Sequence, residues 1–168
     1  GLGSMVSFRD NDYDKSMEYY ERALIIAEEI DLLLLKTKLL NNMSMIYNYR
    51  GEKDKSLITI KEQAKLAERL GDKISQIYAL MGLASIYGED DPDKAYEYQK
   101  EALQLSKKIG NKNAEGLLLR SIARYFMDQK KDYTKALEYA KISREIFKKL
   151  DDKEYEANSL DFVGEVYI

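Results

Sequence analysis

Apolar and small residues recur every three or four positions along most of this chain. Two clear examples are the series Ser16, Tyr20, Ala23 and Ala27 and the series Ala136, Ala140, Ser143 and Phe147. This spacing places the members of each series on one face of a helix. Gly and Asp fall between the series, where a helix C-terminus tolerates a positive φ and a new N-terminus needs a capping oxygen. The pattern therefore predicts an all-α chain of amphipathic helices joined by short turns.

The predicted helices form two alternating sets. One set covers residues 13–30, 53–70, 92–109 and 132–150, and the other covers residues 33–50, 73–88, 112–128 and 153–168. Asp91 followed by Pro92 indicates one helix start, because the missing N–H of proline costs nothing at the first helical position. The alternation implies a further helix ahead of Tyr13, of which only Met5 to Asp10 is present, and the chain stops halfway through a pair. Both ends are therefore expected to be cut, either from a longer array or from flanks that belong to another element.

The two sets repeat with a step of about forty residues. The small residues Ser16, Ser56, Ala95 and Ala136 are separated by 40, 39 and 41 positions. A second marker at the helix joints keeps the same step: Ile30-Asp31, Leu70-Gly71-Asp72-Lys73, Ile109-Gly110-Asn111-Lys112 and Leu150-Asp151-Asp152-Lys153. Two independent markers in one register indicate about four helix-pair repeats. We assign residues 1–5 to a cloning remnant and residues 6–168 to the repeat domain.

The repeats resemble the tetratricopeptide repeat family. In that family the first helix of a pair carries an apolar residue, a small residue beside it and an aromatic residue three positions later. The matching residues are Met43-Ser44 with Tyr47, Leu83-Ala84 with Tyr87, Ile122-Ala123 with Phe126, and Val163-Gly164 with Tyr167. The second helix should present a small, a bulky and a small residue, as Ser16, Tyr20 and Ala23 do. Most of the fourteen tyrosines fall on such positions and are predicted to pack in the core.

There are departures from the family pattern. Leucines stand near the place of the usual first-helix tryptophan, no proline closes the repeats, and Gln63 and Gln99 occupy a small and a bulky position. The long step is similar to the subclass found in kinesin light chains, the spindle adaptor LGN and bacterial peptide-sensing regulators of the Rap type. The resemblance implies a right-handed α-α superhelix, a solenoid of antiparallel helix pairs. It also implies a scaffold or adaptor that binds a protein or peptide on its concave face.

The first helices are expected to line that concave face with residues that can hold a peptide. The expected contacts are Lys38, Asn41, Asn42, Met45, Asn48, Tyr49, Tyr78, Met81, Ser85, Arg120, Ser121, Arg124, Asn158, Asp161, Phe162 and Glu165. Asn and Arg side chains can bind the amides and carboxylates of an extended peptide, while Met and Tyr give adaptable apolar contact.

The alternative is that these are ordinary surface residues of helices. Asn41, Asn42 and Asn48 argue against it, because asparagine in a helix interior costs a few tenths of a kcal/mol. The family's clamp for C-terminal carboxylates uses paired lysines and asparagines from two repeats. Only Lys38 and Asn42 could serve in one here, so we do not expect a clamp of that kind.

Composition excludes several kinds of chemistry. The chain has no cysteine and no histidine, which removes thiol nucleophiles, thiolate metal sites and imidazole acid-base catalysis. Neighbouring carboxylates such as Glu28 and Glu29 point apart on a helix and form no acid-base dyad, and there is no phosphate-binding loop and no complete calcium loop. No catalytic residue, metal site or cofactor is therefore predicted, and the chain is not expected to be an enzyme. A net charge of -3 with both signs interspersed offers no basic field for nucleic acid.

Two further possibilities are open. The chain could be the peptide-sensing domain of a bacterial transcriptional regulator or signalling kinase, which a neighbouring helix-turn-helix or kinase domain would support. It could also form a homodimer through its last helix, where Val163, Val166 and Tyr167 are expected to be exposed. No apolar run is long enough to insert in a membrane. The compartment is open; the cytoplasm is favoured, with a signal peptide or anchor outside this sequence as the alternative.

Overall fold

The computed structural model describes the backbone of residues 2–167 and the side chains of residues 12–167. This part of the chain forms eight α-helices. They are α1 (Leu2–Glu29), α2 (Leu33–Tyr49), α3 (Lys53–Arg69), α4 (Lys73–Tyr87), α5 (Pro92–Ile109), α6 (Lys112–Asp128), α7 (Tyr133–Lys149) and α8 (Lys153–Val166). The predicted all-α fold is confirmed, and α2 to α8 end within about two residues of the predicted bounds.

The first helix differs from the prediction. The register predicts a separate helix ahead of Tyr13, but α1 runs without a break from Leu2 to Glu29. The segment from Met5 to Asp12 contains no glycine or proline that would stop a helix, so the two expected helices are one. The assignment of residues 1–5 to a cloning remnant concerns Gly1 and the side chains of residues 2–5, which lie outside the described part of the chain.

The helix joints follow from the residues that form them. Gly71 and Gly110 follow α3 and α5 with φ of 65° and 72°, a conformation that costs glycine little. Asp91 begins α5, where its carboxylate accepts a hydrogen bond from the Lys94 amide at 3.0 Å. Asn111 caps α6 in the same way through the Ala114 amide at 3.1 Å. Caps of this kind contribute about 1 kcal/mol each, so these turn residues help to set where α5 and α6 begin.

The chain divides into two compact units, residues 1–82 and residues 83–168, with the boundary inside α4. In the first unit α1 packs on α2, and α2 packs on α3. The α2/α3 pair meets at two small residues. The Ser56 hydroxyl donates to the backbone carbonyl of Ser44 at 2.8 Å, and the two hydroxyl oxygens lie 3.1 Å apart. Close approach of the helix axes therefore depends on small side chains at the contact.

In the second unit α5 packs on α6, α6 on α7 and α7 on α8. Ala123 of α6 and Ala140 of α7 are both fully buried and belong to one core cluster. Beside them the Phe126 ring stacks on Tyr139 of α7, with the ring centroids 5.5 Å apart and the planes at 8°. The small residues allow the helices to approach, and the aromatic rings fill the space alongside. This is the packing that the repeat pattern predicts.

The α6/α7 and α2/α3 pairs have side chains of different size at equivalent positions. Gly116 of α6 faces Phe147 of α7 so closely that a Cβ on Gly116 would lie 2.7 Å from the Phe147 ring. At the equivalent positions α2 has Thr37 and α3 has Ala67, and both are fully buried. The pair with the large Phe147 thus has a glycine opposite it, whereas the other pair has two residues of small to moderate size at the same positions.

A polar contact holds the end of α6 to the start of α5. The Tyr125 hydroxyl donates to Asp93 Oδ1 at 2.5 Å, and Lys130 Nζ donates to the same oxygen at 2.7 Å. These hydrogen bonds, the one from Lys130 first, lower the pKa of Asp93 below its ordinary value. The Tyr125 ring also stacks on Tyr96 with centroids 4.3 Å apart. The orientation of Tyr125 is therefore fixed from two sides.

Candidate functional site

The predicted contact residues of the second unit converge on one polar pocket. The pocket has a volume of about 330 Å³ and lies between α6 and α8. Its lining consists of Arg120, Ser121 and Arg124 from α6 and Asn158, Asp161 and Phe162 from α8. All six are residues that the sequence pattern places on the first-helix face.

Helix α6 presents this face because its opposite side is held in the core. Leu119 and Ala123 are fully buried, whereas the residues that follow them, Arg120 and Arg124, are half-buried and exposed. Arg120 and Arg124, four residues apart, therefore lie one above the other on the same side of the helix. The periodicity of the buried residues thus sets the direction of the two guanidinium groups.

Aromatic rings of α8 hold both guanidinium groups. The Arg120 guanidinium carbon lies 5.4 Å from the centroid of the Tyr155 ring, and that of Arg124 lies 5.0 Å from the centroid of the Phe162 ring. Such contacts contribute about 0.5–1 kcal/mol at exposed sites and restrict side-chain motion. Arg124 also donates to Glu165 Oε2 at 3.3 Å. Arg120 forms no ion pair with any residue of 12–167, so its positive charge is available to an anionic group.

Phe162 does not have the expected exposure. The pattern predicts an open contact at this position, but only 2% of Phe162 is accessible, and it packs in the cluster that contains Ala123 and Ala140. Phe162 lies one turn beyond the fully buried Ser159, on the side of α8 that faces the core. It forms the floor of the pocket and supports Arg124.

A second pocket of about 210 Å³ adjoins the first and shares Ser121 and Arg124 with it. Its other lining residues include Gln99 of α5 and Asp128 of α6, which were not among the predicted contacts. The side-chain oxygen Oε1 of Gln99 is buried and has no hydrogen-bond partner in the described part of the chain. An unpaired buried acceptor is costly, so this oxygen favours a donor in the pocket. The sequence signal for this pocket was Gln99 itself, a polar residue at a position where the family has a bulky one.

Four predicted residues of the first unit line a separate pocket. Lys38, Asn41, Asn42 and Tyr78 lie around a cavity of about 320 Å³, together with Thr37, Gln63 and Ser75. Gln63 is 1% exposed, and its Nε2 donates to the backbone carbonyl of Ser75 at 2.9 Å. Because the Ser75 carbonyl can only accept a hydrogen bond, the side-chain amide of Gln63 must direct its Nε2 towards it, which fixes the orientation of that amide. Oε1 of Gln63 is left without a partner among the described residues.

The remaining predicted contacts are more dispersed. Met45 and Tyr49 are exposed on α2, where Asn41 donates to the Met45 sulfur at 3.7 Å and Tyr49 stacks on Tyr13 at 6.1 Å. Asn48 and Met81 are half-buried, Ser85 is exposed, and Glu165 is occupied by its ion pair with Arg124. The two pockets of the second unit and the first-unit pocket around Gln63 are lined by none of the six remaining predicted contacts, which are Met45, Asn48, Tyr49, Met81, Ser85 and Glu165.

Asp72 caps α4 beside the first-unit pocket. Its carboxylate accepts hydrogen bonds from the Ile74 and Ser75 amides at 3.1 Å each and from the Ser75 hydroxyl. Partial burial acts to raise the pKa of Asp72, but the hydrogen bonds from Ser75 and Ile74, with the positive charge of Lys38, lower it below the ordinary value of 3.8. The folded protein therefore favours the ionised carboxylate.

This lowered pKa predicts a pH-dependent effect of Asp72→Asn. Asparagine keeps the helix cap but loses the charge-assisted hydrogen bonds, so we expect a loss of about 1 kcal/mol in the free energy of unfolding near pH 6. Because the unfolded chain takes up the proton first, the advantage of the aspartate disappears as the pH falls through and below 3.8. Urea unfolding of both proteins at several pH values measures this. A difference that stays constant down to about pH 2.5 would contradict it.

Other classes of site are not supported by the described residues. No group of three or more acidic side chains among residues 12–167 is placed to hold a metal ion. No helix in the described range is both long and apolar enough to cross a bilayer. The polar groups that do converge are hydrogen-bond donors and acceptors suited to peptide groups.

Comparison with known proteins identifies the fold. No protein-family model matches the chain. Among solved structures it is similar to the crystal structure of BtubC (BKLC) from P. vanneervenii, with a TM-score of 0.78 and 18% sequence identity over 92% of this chain. The chain spans 65% of the length of that structure's chain. At this identity the similarity shows the fold alone: the chain has the helical-repeat fold, built from consecutive antiparallel helix pairs.

Proposed function

We propose that this chain is a peptide-binding scaffold module whose principal contact surface is the α6/α8 pocket, lined by Arg120, Ser121, Arg124, Asn158 and Asp161. The observation that carries the proposal is the state of Arg120. Its guanidinium lies against the Tyr155 ring and borders an open pocket, and it forms no ion pair with a carboxylate of residues 12–167, although Asp161 lines the same pocket. A planar cation held in this way suits a carboxylate of an extended peptide.

The rest of the lining suits the peptide backbone. Asn158 offers both a donor and an acceptor, and the hydroxyl of Ser121 offers the same on the opposite helix. Asp161 can accept hydrogen bonds from peptide N–H groups. The pocket is thus polar on both walls, with apolar surface only at its floor. An extended segment carrying one acidic side chain matches this distribution.

The helical-repeat fold supports a binding role over catalysis. Stacked helix pairs present side chains from successive first helices on one face, and only a few of those side chains are needed to keep the fold. The pocket contains no nucleophile beside a base and no pair of carboxylates with separated environments, which acid-base chemistry would need. Hydrogen bonding and charge pairing are what the arrangement can perform.

Charge reversal tests the proposal. Peptides that bind the chain would first be selected from a random array of twelve-residue sequences, and their dissociation constants measured by fluorescence anisotropy. The double variant Arg120→Glu/Arg124→Glu is expected to weaken binding at least tenfold, because the loss of one charge-assisted hydrogen bond costs about 1.5–3 kcal/mol. Replacing the acidic residue of a selected peptide by its amide should weaken binding to the wild type and not to this variant.

The matched control is Lys141→Glu/Lys148→Glu. These lysines are exposed on α7 and line neither pocket of the second unit, and the change in net charge is identical. The control variant is expected to bind with a dissociation constant within about twofold of the wild type, apart from a general electrostatic contribution that added salt removes. Equal weakening by both variants at physiological salt, or none by either, would mean that the α6/α8 pocket is not the binding site.

A further inference from the structure

Gln63 of α3 is a buried polar residue at a position where the other second helices have small side chains. The equivalent residues are Ala23 in α1, Ala102 in α5 and Ser143 in α7. Gln63 is 1% exposed, yet its Oε1 has no hydrogen-bond partner among the described residues. An unpaired buried acceptor destabilises the folded state, and the equivalent helices pack with residues that avoid this cost. The repeat fold therefore does not need an amide here, and the unpaired oxygen calls for another explanation.

Neighbouring hydroxyl groups cannot satisfy this oxygen, because their protons are already used. The first-unit pocket includes two further buried side chains, Thr37 of α2 and Ser75 of α4. The Thr37 hydroxyl donates to the backbone carbonyl of Leu34 at 2.8 Å, and the Ser75 hydroxyl donates to Asp72 at 2.5 Å. The Gln63 amide is anchored by its own donation to the Ser75 carbonyl at 2.9 Å. The oxygen of Gln63 is thus a fixed acceptor, and a ligand group can approach it only through the pocket.

The rim of the first-unit pocket adds an amide and one positive charge. Asn42 is half-buried, and its side chain makes no hydrogen bond within residues 12–167. Lys38 is exposed and forms no ion pair in the same range, and no carboxylate lines the pocket. Asp72, on which the charge of Lys38 acts, lies outside the lining and is held by the hydrogen bonds of its helix cap. The pocket therefore combines a buried acceptor with donors at its rim.

We propose that the first-unit pocket binds a primary carboxamide, the group at the end of a glutamine or asparagine side chain. Such a group has an N–H that can donate to Oε1 of Gln63 and an oxygen that can accept from the Asn42 amide or the Lys38 ammonium. Both ends of the ligand group are then paired. The site belongs to the first unit and does not depend on the α6/α8 pocket.

Other polar groups of similar size fit the first-unit pocket less well. A carboxylate has no proton to donate, so it would bring negative charge against the buried oxygen of Gln63. The attraction of the exposed Lys38 is too strongly screened at physiological salt to offset this. An ammonium could donate to the oxygen but would meet the positive charge of Lys38 at the rim. A neutral group with a donor and an acceptor suits both ends of the pocket.

Titrations followed by NMR test the proposal residue by residue. The probes are N-acetyl-glutamine methylamide and the matching asparagine, glutamate and ornithine compounds, added to the isotope-labelled chain at neutral pH and physiological salt. The better carboxamide probe is expected to bind with a dissociation constant of about 1 mM, in keeping with about 14 non-hydrogen atoms, and to shift the side-chain amide signals of Gln63 and Asn42. A preference for glutamine or for asparagine identifies the side chain, and either supports the proposal. The glutamate probe should bind at least about tenfold more weakly, because it leaves the Gln63 oxygen unpaired.

Two variants assign the binding to these residues. Gln63→Met keeps the length of the side chain and removes the acceptor, so the preference for the carboxamide over the carboxylate should disappear. Lys38→Glu changes an exposed residue, so the fold should be unaffected, and the ornithine probe should bind at least about fivefold more tightly than to the wild type. The matched control is Lys61→Glu, which changes an exposed lysine of α3 outside the pocket lining and should leave every dissociation constant within about twofold. Thermal melting establishes that all variants are folded.

The same titrations can overturn the proposal. The absence of a saturable shift with either carboxamide probe up to about 20 mM would do so. Equal or tighter binding of the glutamate probe to the wild type would indicate a carboxylate site around Lys38 instead. A carboxamide preference that persists in folded Gln63→Met, or no gain for ornithine in Lys38→Glu, would also exclude the proposed contacts. Shifts confined to residues 83–168 would place the probe in the second unit, so failure of this site is distinguishable from failure of the α6/α8 pocket.

Discussion

Phe147→Ala is expected to lower the free energy of unfolding by about 3–5 kcal/mol, because it truncates a large ring in the centre of a helix pair. The ring is fully buried between α7 and α6, where it rests on Gly116 and stacks on Tyr155 with centroids 4.9 Å apart. Its removal leaves a cavity that two packed helices cannot collapse. Gly116→Thr alone should also destabilise, because its Cβ would lie 2.7 Å from the ring. Overpacking of this kind costs about 1–3 kcal/mol.

The double variant Gly116→Thr/Phe147→Ala should lose less than the sum of the two single variants, since it installs the combination that α2 and α3 use at Thr37 and Ala67. Urea unfolding of the four proteins gives the coupling energy, which should be at least about 1 kcal/mol in favour of the double variant. Additive losses would show that the two helix pairs do not share a common packing arrangement. The comparison thus tests the repeat equivalence and the packing together.

Ala136→Leu is expected to cost about 1–3 kcal/mol. Ala136 is fully buried in the cluster of Ile122, Tyr125 and Phe126, where α7 approaches α6, and three added carbons would have to separate the helices. A leucine at Glu138, exposed on the same helix, should change stability by less than about 0.5 kcal/mol. Thermal melting of Ala136→Leu and Glu138→Leu measures both. Equal melting temperatures would contradict the role of small residues in helix approach.

The helix boundaries could be predicted because local residues set them. Asp91 and Asn111 cap their helices through their own side chains. Gly71 and Gly110 adopt the positive φ that ends a helix. Both kinds of signal are local, so they can be recognised without knowledge of the fold. The start of α1 could not be predicted in this way. The repeat register requires a joint ahead of Tyr13, but no residue there interrupts the helix, and local preference prevails over the register.

The candidate site could be predicted in part. The arginines of α6 follow from the buried face of their helix, so Arg120 and Arg124 lie where the periodicity places them. Phe162 lines the α6/α8 pocket, but its almost complete burial could not be predicted, because it comes from packing against Ala123 and Ala140 of two other helices. The unpaired oxygens of Gln63 and Gln99 could not be foreseen either, since hydrogen-bond satisfaction depends on distances between helices.

Arg124 borders both cavities of the second unit, so under the proposed function the occupancy of one cavity is linked to that of the other. A ligand carboxylate that draws the guanidinium away from Glu165 in one cavity alters the charge and the space that the neighbouring cavity offers. By thermodynamic reciprocity, a group in the neighbouring cavity must change the affinity of the first by the same factor. Two ligand groups that both require this side chain would then compete although they never touch. A single ligand that places an acceptor in one cavity and a donor near Gln99 in the other would use both cavities in one binding event.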